Sequence, residues 1–132
     1  MSVKIDQAFV SAFIAGAYGL PIAHENLDFI PVAGTPYAEL KVAQNIEAPL
    51  SLTDSNDTTG AFLVTLRYPL DSGSIAIKTM ADTIGLDFKI ATVISYAGQS
   101  VKVNRHGRDV GIAEDGWYKI ILTFQYWAYV AR

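Results

Sequence analysis

GAFLVTLRYPLDSGSIAIKTMADTIGLDF, residues 60–88, is the stretch around which the rest of the chain is arranged. Its first part, Gly60 to Tyr68, alternates two sets of side chains, which is the pattern of a half-buried β-strand. Pro69 ends this strand, and residues 70–73 form a turn. One face of the strand carries Phe62, Val64, Leu66 and Tyr68, and the other carries Ala61, Leu63, Thr65 and Arg67.

The second part of the stretch predicts an amphipathic helix of about four turns. Its apolar side chains recur at spacings of three and four, and the stripe consists of Ile77, Met80, Ala81, Ile84 and Phe88. Ser72 or Ser74 can cap the first amides of this helix. Because strand and helix each have an apolar face that the other can cover, the unit predicts an α+β layer.

The remaining segments predict one more helix and several more strands. The expected elements are a helix over residues 3–17, a strand over 37–44, a mobile loop over the polar tract 53–59, short strands over 92–96 and 101–104 with a turn between them, and a strand from Trp117 to Val130. We therefore expect one domain, residues 1–132, of the α+β class, with a mainly antiparallel sheet backed on one face by two helices.

The last strand presents two different faces. Its even-numbered side chains are apolar or aromatic and belong to the core. Its odd-numbered side chains include Ile121, Trp127 and Tyr129 beside Lys119 and Gln125. Large amphipathic rings mixed with polar groups are typical of protein interfaces, so this outer face is a candidate contact surface.

The composition narrows the class of protein. Of the 132 residues 51% are hydrophobic and only 17% are charged, so we expect apolar surface that a partner or another copy covers. The net charge of −3 argues against a nucleic-acid binder. The chain has no cysteine, which excludes thiolate chemistry. It lacks a signal-peptide pattern and an uninterrupted apolar run of about 18 residues, so we expect a soluble intracellular product without a membrane partner.

Motifs for catalysis, cofactors and metals are weak. The chain contains no G-x-S-x-G, and Gly73 is not followed by the lysine of a phosphate-binding loop. The run from Asp54 to Gly60 resembles a calcium loop, but its glycine falls one position late and Thr65 stands where a bidentate glutamate belongs. We predict no catalytic residue, no cofactor and no metal site.

Two clusters of polar side chains each allow two interpretations. His24 beside Glu25 is either an acid–base pair or a hydrogen-bonded turn. Arg105, His106 and Arg108 either contact phosphate or form a local salt-bridged turn with Asp109, Glu114 and Asp115.

Motifs spread over nearly the whole chain resemble the tail terminator family of long-tailed bacteriophages and prophages. They are LPIAHEN (20–26), Phe29, Pro31, GTPY (34–37), GAFLV (60–64), Tyr68-Pro69, Gly73, Ala76, MADTI (80–84) and GWY (116–118). Single motifs are not specific, and their order and spacing carry the resemblance. One departure is His24, which replaces an aromatic residue expected before Glu25-Asn26.

The resemblance implies a structural virion protein and not an enzyme. Such proteins form a ring, usually a hexamer, at the head-proximal end of the tail tube, where they terminate polymerisation and provide the surface that joins the head. The implied partners are copies of the chain itself, the major tail tube protein and a head-completion or connector protein, with DNA only passing through the lumen. The implied location is the virion tail, after synthesis in the host cytoplasm.

Within this hypothesis, some residues receive expected roles. Ile121, Trp127 and Tyr129 form a subunit or tube interface. The loop 53–59 becomes ordered on the tube. Asp54 and Asp57, or Glu114 and Asp115, supply carboxylates to the lumen, where they keep DNA from adhering.

Two alternatives remain open at this point. The first is a neck or head–tail completion protein, which forms a similar ring but faces the portal. The second is a small α+β ligand-binding domain or enzyme that uses His24, Glu25 and Arg105 in a polar pocket.

Overall fold

The computed structural model describes residues 3–49 and 55–131. The elements in chain order are α1 Val3–Ala15, β1 Ile22–Ala23, β2 Tyr37–Pro49, β3 Ser55–Pro69, α2 Ile75–Asp87, β4 Val93–Tyr96, β5 Gln99–Arg108, β6 Ile112–Glu114 and β7 Trp117–Ala131. Neither helix of this described part is long and apolar enough to cross a bilayer.

The strands form one curled sheet in the order β1-β2-β3-β7-β5-β4, with β6 paired to β7 beside the end of β5. All pairings are antiparallel except the parallel pair of β1 and β2. The central pair, β3 and β7, is in register from Ser55 opposite Ala131 to Pro69 opposite Trp117. The predicted α+β class, with a mainly antiparallel sheet, is confirmed.

Both helices pack on the same face of the sheet and form the core with it. The ring of Phe9 in α1 stacks on Phe62 of β3 at 4.8 Å, and Phe88, just after α2, lies 5.2 Å from Phe124 of β7. The predicted stripe of α2 is buried except for Met80, which is partly exposed. The alternation in Gly60–Tyr68 is confirmed as well, because its even-numbered residues are buried.

The hairpin of β2 and β3 is longer than the sequence predicted. Residues 55–59 were expected in a mobile loop, but they belong to β3 and pair with both β2 and β7. Thr58 is 1% exposed. Two neighbouring strands supply hydrogen bonds to this polar stretch, and the polar composition of residues 55–59 alone could not predict that pairing. The first residues of the predicted loop, Thr53 and Asp54, lie outside the described residues.

Strand β5 is also longer than predicted. It runs on through Arg105 to Arg108, where the sequence suggested a turn, because β7 extends alongside and supplies backbone partners. Two further short strands, β1 and β6, were not predicted, and α1 ends two residues early at Ala15.

The start of α2 also differs from the prediction. Ser74 occupies the N-cap position, but its side chain makes no capping hydrogen bond. The hydroxyl of Ser72 instead donates to the carbonyl oxygen of Pro69 at 2.6 Å and closes the turn before the helix.

Two β-bulges lie at the same height in the sheet, one in β2 and one in β5. Asn45 in β2 and Asn104 in β5 are extra residues in the ladder, on either side of the paired Gly60 and Tyr126. A Cβ at position 60 would overlap the carbonyl oxygen of Ala43 and lie 2.6 Å from the Tyr126 hydroxyl. Glycine is therefore required here by the close approach of the β2 backbone.

Candidate assembly surface

The face of the sheet opposite the helices carries the exposed side chains of the long strands. Three residues predicted to take part in assembly meet there, at one end of the sheet. Tyr129 lies directly opposite Asp57 in the ladder, and Trp127 Nε1 donates to Asp57 Oδ2 at 3.4 Å. The rings of Trp127 and Tyr129 meet edge to face with centroids 4.4 Å apart. Since Tyr129 is 54% exposed, this pair presents aromatic surface to solvent.

Strands β4 and β5 widen this surface toward the edge of the sheet. Lys102 lies opposite Trp127, and Val93 lies opposite Lys102, so the three side chains form a row on one face. Val93 is 60% exposed. We call Val93, Trp127 and Tyr129 the aromatic patch. The sequence predicted its two rings but not Val93, because the pairing of β4 with β5 brings it there.

Ile121 lies elsewhere on the same face. It is opposite Thr65 and about 20 Å along β7 from Trp127. There it lines a cleft of about 410 Å³ between the sheet and the segment that joins β1 to β2. The structure therefore divides the predicted interface residues between two places.

The segment between β1 and β2 is held against the sheet by aromatic contacts. The ring of Phe29 packs on Tyr37 at 4.8 Å, and Tyr37 meets Trp117 edge to face at 5.1 Å. Beside this anchor the segment exposes three aliphatic side chains. Leu27, Ile30 and Val32 are 67%, 87% and 65% exposed. We call residues 27–32 the apolar loop; the sequence showed its prolines and turns, but it did not show which side chains face solvent.

The carboxylates suggested for a lumen differ in their surroundings. Glu114 accepts a hydrogen bond from Lys119 Nζ at 2.8 Å and a longer one from Arg67 Nη1 at 3.5 Å. The hydrogen bond and charge of Lys119, followed by those of Arg67, lower the pKa of Glu114. Asp115 is exposed in the turn before β7, with a φ of 52°. Asp54 lies outside the described residues.

Arg67 is the centre of this ionic cluster. It also binds the carboxylate of Glu39, and its side chain is only 14% exposed. Burial opposes its charge, but the hydrogen bond and the attraction of Glu39 outweigh burial, so the pKa of Arg67 is raised. The cluster therefore ties β2, β3, β6 and β7 together.

The residues of the alternative polar site do not converge. His24 and Glu25 line the cleft beside β2, and Glu25 Oε1 accepts the backbone N–H of Val42 at 3.3 Å. Arg105 lies on β5, which is three strands away across the sheet. Residues 3–49 and 55–131 contain no group of three or more acidic or histidine side chains that could hold a metal ion.

The basic stretch of β5 also makes contacts different from those predicted. Arg108 pairs with Asp82 of α2 at 3.0 Å, and not with the acidic residues that follow it in sequence. His106 stacks on Phe124 with centroids 4.6 Å apart, beside Gly85. Burial, followed by the charge of Arg108, lowers the pKa of His106. These two side chains therefore fasten β5 to the helical layer.

Known proteins resemble this chain in sequence and in fold. The family model described as phage tail terminator protein matches residues 4–126. A solved structure is similar with a TM-score of 0.73 and 20% sequence identity, over 97% of this chain and 96% of the other; at that identity the likeness concerns the fold. No curated protein matches the chain.

Proposed function

Because the chain belongs to the phage tail terminator family, we propose that it forms a ring on the head-proximal end of the tail tube and stops the tube from growing. Membership itself makes the chain a structural component of a phage tail. The proposal adds the ring, its position and its action on the tube. The observation that carries it is the family match over residues 4–126, which leaves only a few residues at either end unmatched.

The exposed surface supports assembly. The helix-free face presents paired aromatic rings and charged groups, while the aliphatic side chains of the apolar loop project into solvent. Exposed apolar groups of this kind mark sites of protein contact. The expected partners are identical subunits in a hexamer, the major tail tube protein below the ring, and a head-completion or connector protein above it.

The proposed ring also has a lumen, and its inner wall must let DNA pass. DNA passes through the ring without specific contacts, which requires that the inner wall be neutral or acidic. Asp115 is exposed and available for such a wall, whereas Asp57 accepts a hydrogen bond from Trp127 in the aromatic patch. Glu114 is neutralised in part by Lys119 and Arg67, so its contribution is smaller.

Tube length is the decisive measurement. Tube subunits of the phage that carries this gene are polymerised with and without the purified protein, and lengths are measured in negative-stain images. We expect a narrow length distribution and rings on one end of each tube only when the protein is present. A protein that stays monomeric, fails to sediment with tubes and leaves their length unchanged would overturn the proposal.

A neck protein is the second candidate, since it would form a comparable ring. It would bind the portal-side connector and leave free tubes untouched. Sedimentation with tubes and with the connector in parallel separates the two functions. Binding to the connector alone would favour the neck role.

A further inference from the structure

We propose that the apolar loop of one copy of this chain binds the aromatic patch of the next copy. The inference rests on the proposed ring function and assigns its subunit contact. It concerns Leu27, Ile30 and Val32 on one side, and Val93, Trp127 and Tyr129 on the other. Four observations support it: the contacts that anchor the loop, the nature of the sheet edges, the charges beside each surface and the positions of the two surfaces.

The loop is anchored by contacts on either side of its apolar, exposed tip. Phe29 is fixed on Tyr37, and the backbone N–H of Thr35 donates to the carbonyl oxygen of Val32 at 3.0 Å. Ile30 projects between these anchors with 87% of its surface exposed. Contacts that hold a loop in its binding conformation reduce the conformational entropy lost on binding, so this loop is suited to fill a shallow apolar surface.

The two edges of the sheet differ in how they are protected. The outer edge of β2 has β1 beside its start, the Glu25 carboxylate on the N–H of Val42, a bulge at Asn45, and Pro49. Such features discourage another strand from pairing. Strand β4, with the sequence VISY, has no proline, lysine or bulge, and within residues 3–49 and 55–131 it pairs with β5 alone. The edge beside the aromatic patch therefore lacks these features, although α1 lies close to β4 on the core side.

The charges of the two surfaces are complementary. The aromatic patch adjoins the carboxylate of Asp57, which accepts a hydrogen bond from Trp127 Nε1, but two cations lie beside it. Asp28 lies within the apolar loop, while Lys102 and Arg105 lie beside the aromatic patch on the same face. None of these three takes part in an ion pair within the described part of the chain. Arg105 also lines a cleft of about 400 Å³ together with Asn45, Asn104 and Gln125, and the described residues contribute no carboxylate to this cleft. It is therefore suited to receive Asp28 of the neighbouring copy.

The positions of the two surfaces favour a ring. The apolar loop follows β1, at one end of the strand order, and the aromatic patch adjoins β4, at the other end. Repeated head to tail, a contact between two different surfaces of identical subunits is heterologous, and it closes into a ring when the rotation between subunits allows. A two-fold dimer in which loop meets loop, or patch meets patch, would bring like charges together, whereas pairing the loop with the patch brings opposite charges together.

The absence of cysteine from the chain gives a direct test. Ile30→Cys and Tyr129→Cys are made in separate chains, since both side chains are exposed and neither belongs to the core. Wild-type rings are first verified in solution by native mass spectrometry, or on tube ends in negative-stain images. The two variants are then mixed and treated with a short bismaleimide. We expect at least tenfold more cross-linked dimer in the mixture than in either variant alone.

The controls separate the contact from the proposed function. Thr79→Cys, on the outer side of α2, replaces Ile30→Cys in the matched mixture and should give no dimer. Rings that terminate tubes but give no dimer in the mixture would overturn the contact and leave the function intact. Cross-linking of one variant with itself would indicate an isologous pair and would also overturn it. Absence of rings both in solution and on tubes would overturn the function as well.

Charge reversal provides a second readout. Asp28→Lys and Arg105→Glu should each raise the protein concentration at half-assembly at least tenfold, and the double variant should restore at least half of the loss. If the double variant assembles no better than the weaker single variant, Asp28 does not meet Arg105. Thermal unfolding of each variant below its assembly concentration verifies that the subunit is folded.

Discussion

The hydroxyl of Tyr126 gives the sharpest prediction about stability. Tyr126 is 1% exposed, and its hydroxyl has no hydrogen-bond partner among the residues that the structure describes. Burial raises the pKa of Tyr126, and the carboxylate of Asp6 raises it further. The ring itself packs on Phe9 at a centroid distance of 5.2 Å. Tyr126→Phe keeps the ring and removes only the unpaired oxygen.

The change in the free energy of unfolding caused by Tyr126→Phe is the difference between two opposing contributions. Leaving a buried hydroxyl unpaired costs about 1–3 kcal/mol, which the substitution recovers. The void left by one oxygen atom, roughly 20 Å³ at about 24 cal/mol per Å³, costs about 0.5 kcal/mol. We therefore expect Tyr126→Phe to stabilise the fold by about 0.5–2.5 kcal/mol. For 132 residues the unfolding entropy is about 0.28 kcal/mol/K, so the melting temperature should rise by about 2–9 °C.

Urea unfolding and calorimetry at one fixed protein concentration measure this difference. Tyr96→Phe is the matched control, because Tyr96 is 37% exposed and its change should stay within about 0.5 kcal/mol. A loss of 1 kcal/mol or more in Tyr126→Phe would refute the reasoning. It would show that the hydroxyl has a partner, such as a buried water, in the folded protein.

Three further substitutions test other parts of the fold. Gly60→Ala should cost about 3 kcal/mol in urea unfolding, because its Cβ meets the β2 backbone, whereas Gly107→Ala, with open space around it, should change stability by less than about 0.5 kcal/mol. The pKa of Glu114 is lowered, chiefly by Lys119, so its ion pairs stabilise the fold above its unfolded pKa and are lost as the pH falls; Lys119→Met should weaken this acid dependence, and an unchanged pH profile would contradict it. The pKa of His106 is lowered too, so protonation favours unfolding and stability should fall as the pH drops below about 6.5. His106→Phe should flatten that part of the profile, and an equally steep profile would argue against the role of the ring.

Periodicity predicted the elements that have a consistent apolar face. The alternation from Phe62 to Tyr68 and the stripe from Ile77 to Phe88 are buried as expected, because each pattern is set by the geometry of its own element. The extensions of β3 and β5 were missed for the opposite reason. Residues 55–59 and 105–108 are polar, and they are strands only because β7 is long enough to pair with both.

The candidate surface was predictable only in part. Trp127, Tyr129 and Asp57 were identified from residue type, and their meeting depends on the register of β3 and β7. The exposure of Ile30 and its neighbours could not be read from the sequence. Whether an apolar side chain in an irregular segment turns inward depends on where Phe29 anchors that segment, which is a tertiary contact.

The bulges at Asn45 and Asn104 bear on how insertions and deletions affect this protein. Each is one extra residue absorbed by a strand that flanks the central pair, and the paired residues continue in step beyond it. The ladder of β3 and β7 contains no such extra residue along its 15 paired positions. One residue gained or lost inside β7 would exchange its buried and outward side chains, placing Trp127 against the helices and Tyr126 in solvent. The flanking strands can therefore change in length over evolution, whereas the central pair can change only by substitution.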